Sequence, residues 1–362
     1  MTANFDFGQL LMARLQDDGS NRGADQDAIR LVERFHLGGL VFTTLAKFGS
    51  PNVVAGLLAR AAEASDEIPF FAFEEEGGEA HPLGEFLPGL PSPGAVGRKA
   101  SDIVERLGDL IGQACKLLGF NTNFAPSLDL ARSSSEMQSF GCRPRHVARC
   151  GEALVRGMKR HGVLACGKSF PGLGAARRAT DSRVPVVSRT MAQLWREDLV
   201  PYRELVHQLP LIKIGVTACK AYDPQILRPA TLSAGVIEGL LRAKLQYDGV
   251  AVADVSETAA AVGDAAATGE TAVQSLVAGC DLLIVEGRAD RVESVIREIS
   301  SAIESGALAA ERIGHARRRL QSAKQGLARP SAKVSSEALI KLAKQFGQFA
   351  SECVAAPGEG IT

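Results

Sequence analysis

What most limits the folds open to this chain is a repeated alternation of short, unbroken apolar runs with amphipathic stretches. The runs are Gln9–Arg14, Gly39–Thr43, Pro69–Phe73, Asn121–Pro126, Val163–Gly167, Leu211–Thr217, Gly249–Ala253 and Leu282–Val285. Continuous rather than alternating hydrophobicity is the pattern of parallel strands covered on both faces. The stretches between them carry helical spacing. Ile103, Leu107, Leu110, Ile111, Ala114, Leu117 and Leu118 share one side of a predicted helix over Ser101–Leu118, with Ser101 as candidate N-cap and Gly119 as its stop. Ser233 is placed to cap a second helix, and a third is expected from about Arg145 to His161, behind Pro144. Eight strands joined mostly through helices predict an α/β fold, a closed (β/α)8 TIM-like barrel rather than an open doubly wound sheet. The glycine fingerprint of a dinucleotide fold is missing, Gly172 and Gly174 forming only a G-x-G pair. The barrel is expected as a single domain over residues 1–329. After Arg329-Pro330 the composition changes, and residues 330–362 are read as a C-terminal helix bearing Leu339, Ile340, Leu342, Phe346 and Phe349, then a flexible tail. Packing of that helix back onto the barrel is the expectation, with docking to a partner as the alternative.

Charge narrows the partners. Lys plus Arg number 41 and Asp plus Glu 41, so there is no cationic surplus to displace counterions from nucleic acid. No apolar run approaches the ~18–20 residues a spanning helix needs, and the first residues carry acids where a signal peptide carries Lys or Arg. A cytoplasmic protein bound to no membrane is the expectation. The seven cysteines are scattered, and Cys115, Cys166 and Cys280 lie in apolar runs, which indicates reduced thiols. Cys142, His146 and Cys150 fit no usual zinc spacing, so no metal is expected.

In a barrel of this kind, chemistry gathers at the C-terminal ends of the strands. Those ends read Glu74-Glu75-Glu76-Gly77-Gly78, Asp129, Lys168-Ser169-Phe170-Pro171-Gly172, Cys219-Lys220, and Asp254 with Glu257. A rim of carboxylates with one or two lysines suits a polyhydroxylated neutral ligand, whose hydroxyls both donate and accept. Arg177-Arg178 reads as a solvated loop.

The same segments carry a collinear set of motifs: GQLLMARL, LGGLVFTT, FFAFEEEGG, LGFNTNFAPSLDL, Ser139-Phe140-Gly141 with Pro144, HGVLACGKSFPGLG, DSRVPVV, PATLS at Pro229–Ser233, and YDGVAVADVSE. Through them, over about residues 7–325, the chain resembles the family 3 glycoside hydrolases, in particular the single-domain bacterial β-N-acetylglucosaminidase branch. The resemblance implies a barrel fold, a retaining double-displacement mechanism and no metal or organic cofactor. It implies that Asp254 holds the position of the nucleophile, an ionised carboxylate that forms a glycosyl-enzyme ester. Read without it, a strand-end Asp is first of all a helix cap. Lys168 matches the lysine that donates to sugar hydroxyls, and pairing with Asp129 or Asp254 is its structural reading.

Departures from the family pattern fall on the chemistry. The acid/base loop, Asp-Ser-His in that branch, reads Asp181-Ser182-Arg183. Asp181 keeps the dyad Asp position, while Arg183 replaces the His, and a guanidinium does not shuttle protons at working pH. The Lys-His-Phe-Pro-Gly motif has Ser169, with Leu173 at a further His position, and the Thr-Ala-His strand end has Cys219. On the substrate side, Gln138 stands for an Arg, Arg143 for an Asp, and Glu74 for the sugar-binding Asp. Of the six histidines only His81 is placed to substitute, with a surface loop as its expected setting. Two readings follow. One is a β-N-acetylhexosaminidase-type enzyme with weak or lost standard activity, in which Glu74, Glu75 or Glu257 could take the acid role. The other is a catalytically degenerate protein that binds a sugar or a protein partner. The single Trp195 and three tyrosines leave few aromatic platforms, which favours a short soluble saccharide or amino-sugar fragment.

Overall fold

The computed structural model describes residues 7–15, 24–45, 48–78, 81–132, 138–178, 184–264 and 267–355. Its centre is a closed barrel of eight parallel strands: β1 (Leu11–Leu15), β2 (Gly39–Phe42), β3 (Phe70–Phe73), β4 (Thr122–Asn123), β5 (Leu164–Phe170), β6 (Leu211–Ile214), β7 (Val250–Asp254) and β8 (Leu282–Glu286). Each strand pairs with its neighbours in chain order, and β8 closes onto β1 from Leu11↔Leu283 to Arg14↔Glu286. All four residues of β3 and all five of β7 are buried, as unbroken apolar runs require when helices cover one face and the barrel interior the other.

Every expected strand is present, with shifted ends. β1 starts at Leu11 because Gln9 belongs to a tight 3-10 turn, Phe7–Leu10, where its side chain donates to His36 O (2.7 Å) and accepts from Lys324 Nζ (2.7 Å). β4 is much shorter than the apolar run that predicts it. Pro126 has no N–H to donate, and two side chains supply the links a longer ladder would make. Asn121 accepts from Phe71 N–H (2.8 Å) and donates to Pro69 O (2.9 Å). Asn123 does the same with the Glu75 N–H and carbonyl, both at 2.9 Å.

The helix Ser101–Leu118 has its expected extent, with Ala100 rather than Ser101 at the N-cap. Gly119 ends it in the left-handed region at φ +93°, which a glycine enters without steric cost. Ser233 Oγ accepts from Val236 N–H (3.1 Å), starting the helix Gly235–Lys244. Arg177–Arg178 is a short strand rather than a loop. It pairs antiparallel with Pro185–Val187, which runs parallel to Ala218–Cys219, and the pairing partners come from distant segments that no local pattern reveals. At the opposite end of the barrel, fully buried Asp281 gathers Arg242 (2.5 Å), Arg312 (2.6 Å) and Arg319 (3.3 Å), tying two outer helices to the start of β8. The last helix, Ser336–Ala355, packs against Ser101–Leu118, burying Leu342, Phe346 and Phe349 and leaving Ile340 exposed. The tail expected after it lies outside the described residues. No described helix is long and apolar enough to cross a membrane.

Candidate active site at the barrel mouth

The strand C-termini deliver two charged clusters to one end of the barrel. The first is built by a bulge. Cys166 and Gly167 of β5 face Leu211 and Ile212 of β6, whereas Phe170 faces Ile214, so one extra residue interrupts the ladder at Lys168-Ser169. Bulges re-aim side chains at the rims of barrels. Lys168, 8% exposed, pairs with Glu74 and with Glu76 (2.8 Å) just beyond β3. The expected pairing with Asp129 or Asp254 is therefore corrected: the two glutamates reach the ammonium first. Burial works against the Lys168 charge, but Glu76 and Glu74 outweigh it and hold the amine above its ordinary range. Burial also penalises the Glu74 charge, yet Lys168 and Lys213 bring its carboxyl below the usual value. Glu76 is raised by its burial despite Lys168.

The second cluster surrounds Asp254, the last residue of β7 and the N-cap of the helix Val255–Val262. Its side chain is fully buried. Oδ1 accepts from Glu257 N–H (3.1 Å), so the helix-capping reading holds. Oδ2 is ion-paired with Arg14 from the end of β1 and lies 3.7 Å from Lys213 Nζ of β6. Lys213 also reaches Glu257 (3.2 Å), and Arg14 lies 4.0 Å from it. Sequence reasoning singled out neither Arg14 nor Lys213. The signal was a lone charge inside an apolar strand, LLMARL for Arg14 and LIKIGV for Lys213, where a cation needs a counter-charge or an opening toward water.

A cavity of about 430 Å3 joins the clusters, with Arg14, Lys213, Glu74, Glu257 and His81 on its charged side and Val41, Phe42 and Phe124 on its apolar side. His81 is thus no surface-loop residue. Its side chain is 7% exposed, with Nδ1 2.5 Å from Glu75 and Nε2 3.2 Å from Pro88 O. Burial alone would lower the imidazole; the bond and charge of Glu75 more than offset it and the value is raised. One ring nitrogen thus faces a carboxylate and the other a carbonyl. Glu75 is itself fully buried and accepts Gly77 N–H (2.6 Å), which removes it from the candidate acids. Asp129 is buried and accepts Leu173 N–H (2.5 Å).

Of the remaining predicted residues, Ser169 is half-buried on the bulge. Cys219 is 1% exposed, and burial pushes its thiol up to about 11, so it stays protonated at neutral pH. Gln138 is exposed beside buried Ser139, whose hydroxyl donates to Asp129 O (2.5 Å). None of these three lines the cavity. Asp181 and Arg183 lie outside the described residues.

A closed parallel barrel with acids and lysines converging at its strand C-termini places the chain among the TIM-barrel proteins that carry their site at that end. Within that class the chain belongs to glycoside hydrolase family 3: residues 3–323 match the family described as "Glycosyl hydrolase family 3 N terminal domain". A β-hexosaminidase of Pseudomonas aeruginosa is 34% identical over 221 residues, covering 59% of this chain and 65% of that protein, so the matched part spans just under two thirds of the relative. A β-hexosaminidase of Bordetella avium is 31% identical over 251 residues, 66% of this chain and 70% of that one. Among solved structures, a family 3 β-N-acetylglucosaminidase from Paenibacillus sp. superposes with a TM-score of 0.81 at 31% identity, covering 97% of this chain and 69% of the other.

Proposed function

We propose that this protein is a β-N-acetylhexosaminidase-type member of the family that binds a short amino-sugar fragment at the barrel mouth and turns over standard substrates weakly or not at all. In this reading Asp254 keeps the nucleophile position and Asp181 the dyad position, while Arg183 stands where a proton-shuttling His is required. Glu74 and Lys168 grip sugar hydroxyls, with Gln138, Ser169 and Cys219 at the positions of further contacts. The observation that carries it is the cavity wall itself: Glu74, which pairs with Lys168, lines it together with Arg14, Lys213 and Glu257 of the Asp254 cluster, and the His that lines it faces an acceptor at each ring nitrogen. Glu74 and Glu257 remain the carboxyls able to approach a leaving group, and a retaining pair needs about 5–5.5 Å between its carboxyls.

Loss of general acid–base assistance is worth ~10²–10⁴ in rate. With an aryl β-N-acetylglucosaminide, turnover should therefore fall short of an ordinary glycosidase by at least about 10²-fold. Calorimetry should detect N-acetylglucosamine binding that Lys168→Met weakens. Rapid turnover abolished by Asp254→Asn would overturn the reading. Binding with no turnover at all would favour the degenerate sugar-binding protein, a reading supported by Asp254 being fully buried.

A further inference from the structure

The cavity and the nucleophile position do not touch. Next to Asp254 the cavity is lined by Arg14, Lys213 and Glu257, and Asp254 lies fully buried behind them. An attacking carboxylate needs one oxygen with a lone pair directed at the anomeric carbon, about 3–3.5 Å away. Here Oδ1 accepts the Glu257 N–H, while Oδ2 makes no hydrogen bond and is held by charge against the Arg14 guanidinium. Arg14 is only 14% exposed, so its pairing with Asp254 is little screened by water.

We propose that Arg14 is a positioning residue that holds Asp254 in a non-attacking arrangement, and that removing its guanidinium uncovers a competent nucleophile. The inference rests on the reading of Asp254 as the nucleophile position. Lys213 makes the release feasible. Its ammonium sits 3.7 Å from Asp254 and 3.2 Å from Glu257, so without Arg14 the aspartate keeps a cation and its helix-cap bond. Those two contacts keep the carboxylate at the end of β7 once Oδ2 is released toward the cavity. Arg14 in this role explains why a strand otherwise apolar, LLMARL, carries a guanidinium near its end at the barrel mouth.

The test separates nucleophilic attack from proton delivery. A 5-fluoro-N-acetylglucosaminyl fluoride serves as the probe. An Asp254 oxygen forms the C1–O ester bond, the C1–F bond breaks, and fluoride leaves with its electron pair, so no acid is needed. Intact-protein mass spectrometry reads the glycosyl adduct and peptide mapping locates it. Arg14→Leu should label on Asp254 at least about 10²-fold faster than the parent protein, the scale of a small misplacement of a reacting group. Arg14→Lys, which keeps a cation at the position, should stay slow, and Arg14→Leu with Asp254→Asn should not label. Arg14→Gln, checked by circular dichroism, replaces the Leu variant if that one does not fold. Parent protein labelled as fast as the Leu or Gln variant would overturn the proposal, as would folded variants that never label. An adduct on Glu257 instead would overturn the assignment of Asp254 itself.

Discussion

Asp129 illustrates how the barrel mouth sets the behaviour of single acids. Its carboxyl is 8% exposed, and that burial, against the opposing N–H of Leu173 and the charge of Lys168, pushes it up to about 6. A carboxyl whose folded value lies above its unfolded one stabilises the fold when protonated. The contribution is complete below about pH 4 and is lost as pH rises through about 6. Asp129→Asn keeps an acceptor for Leu173 and cannot ionise. Urea unfolding at pH 4 and pH 7.5 should show the parent protein losing up to about 3 kcal/mol relative to this variant across the interval. Equal slopes in the two proteins would mean Asp129 is already ionised at pH 4. Lys168 shows the opposite case: burial works against its charge, but Glu76 and Glu74 raise its basicity and keep it a cation. Most of these residues were legible as strand-end polar groups. Their pairings were not, because Lys168 and Glu74 are separated by 94 residues and meet only across the barrel mouth.

Among the elements, the helices Ser101–Leu118 and Pro144–Lys159 pack closely enough that glycine is a spatial requirement. A Cβ on Gly108 would fall 2.3 Å from Leu154 O, and one on Gly157 2.3 Å from Glu105 O. The obstructing atoms are backbone, so relief requires the helices to separate. Gly108→Ala should destabilise by about 1–3 kcal/mol in chemical denaturation. Gly347→Ala, where nothing lies within 4 Å, should instead be neutral or stabilising by up to about 1 kcal/mol. A neutral Gly108→Ala would show that this interface is looser than its geometry. Periodicity disclosed the apolar face of Ser101–Leu118, since that face is a property of consecutive residues. It could not disclose Gly108 as a contact point, since the reason for the glycine belongs to another helix.

Over the whole molecule, the barrel is enclosed by outer helices, and the C-terminal one joins the same core. Phe346 and Phe349 are fully buried, and Arg106 both pairs with Glu352 (2.8 Å) and sits 5.5 Å over the Phe349 ring. We propose that the helix Ser336–Ala355 is an extension of the barrel unit. Phe346→Ala should then cost about 3–5 kcal/mol and leave a single unfolding transition. An unchanged urea midpoint, followed by Trp195 fluorescence and circular dichroism, would refute that coupling. The strand runs, the helix over Ser101–Leu118 and the barrel they imply were determined by the sequence itself, because burial on both faces and helical spacing are written in neighbouring residues. Tertiary structure alone decided the cations around Asp254. Glu257 follows it by three residues in the helix it caps, but Arg14 and Lys213 come from β1 and β6, and only closure of β8 onto β1 brings the first of these two to the carboxylate. Charge pairing acts through space, and no local pattern along a chain can encode which distant cation will arrive.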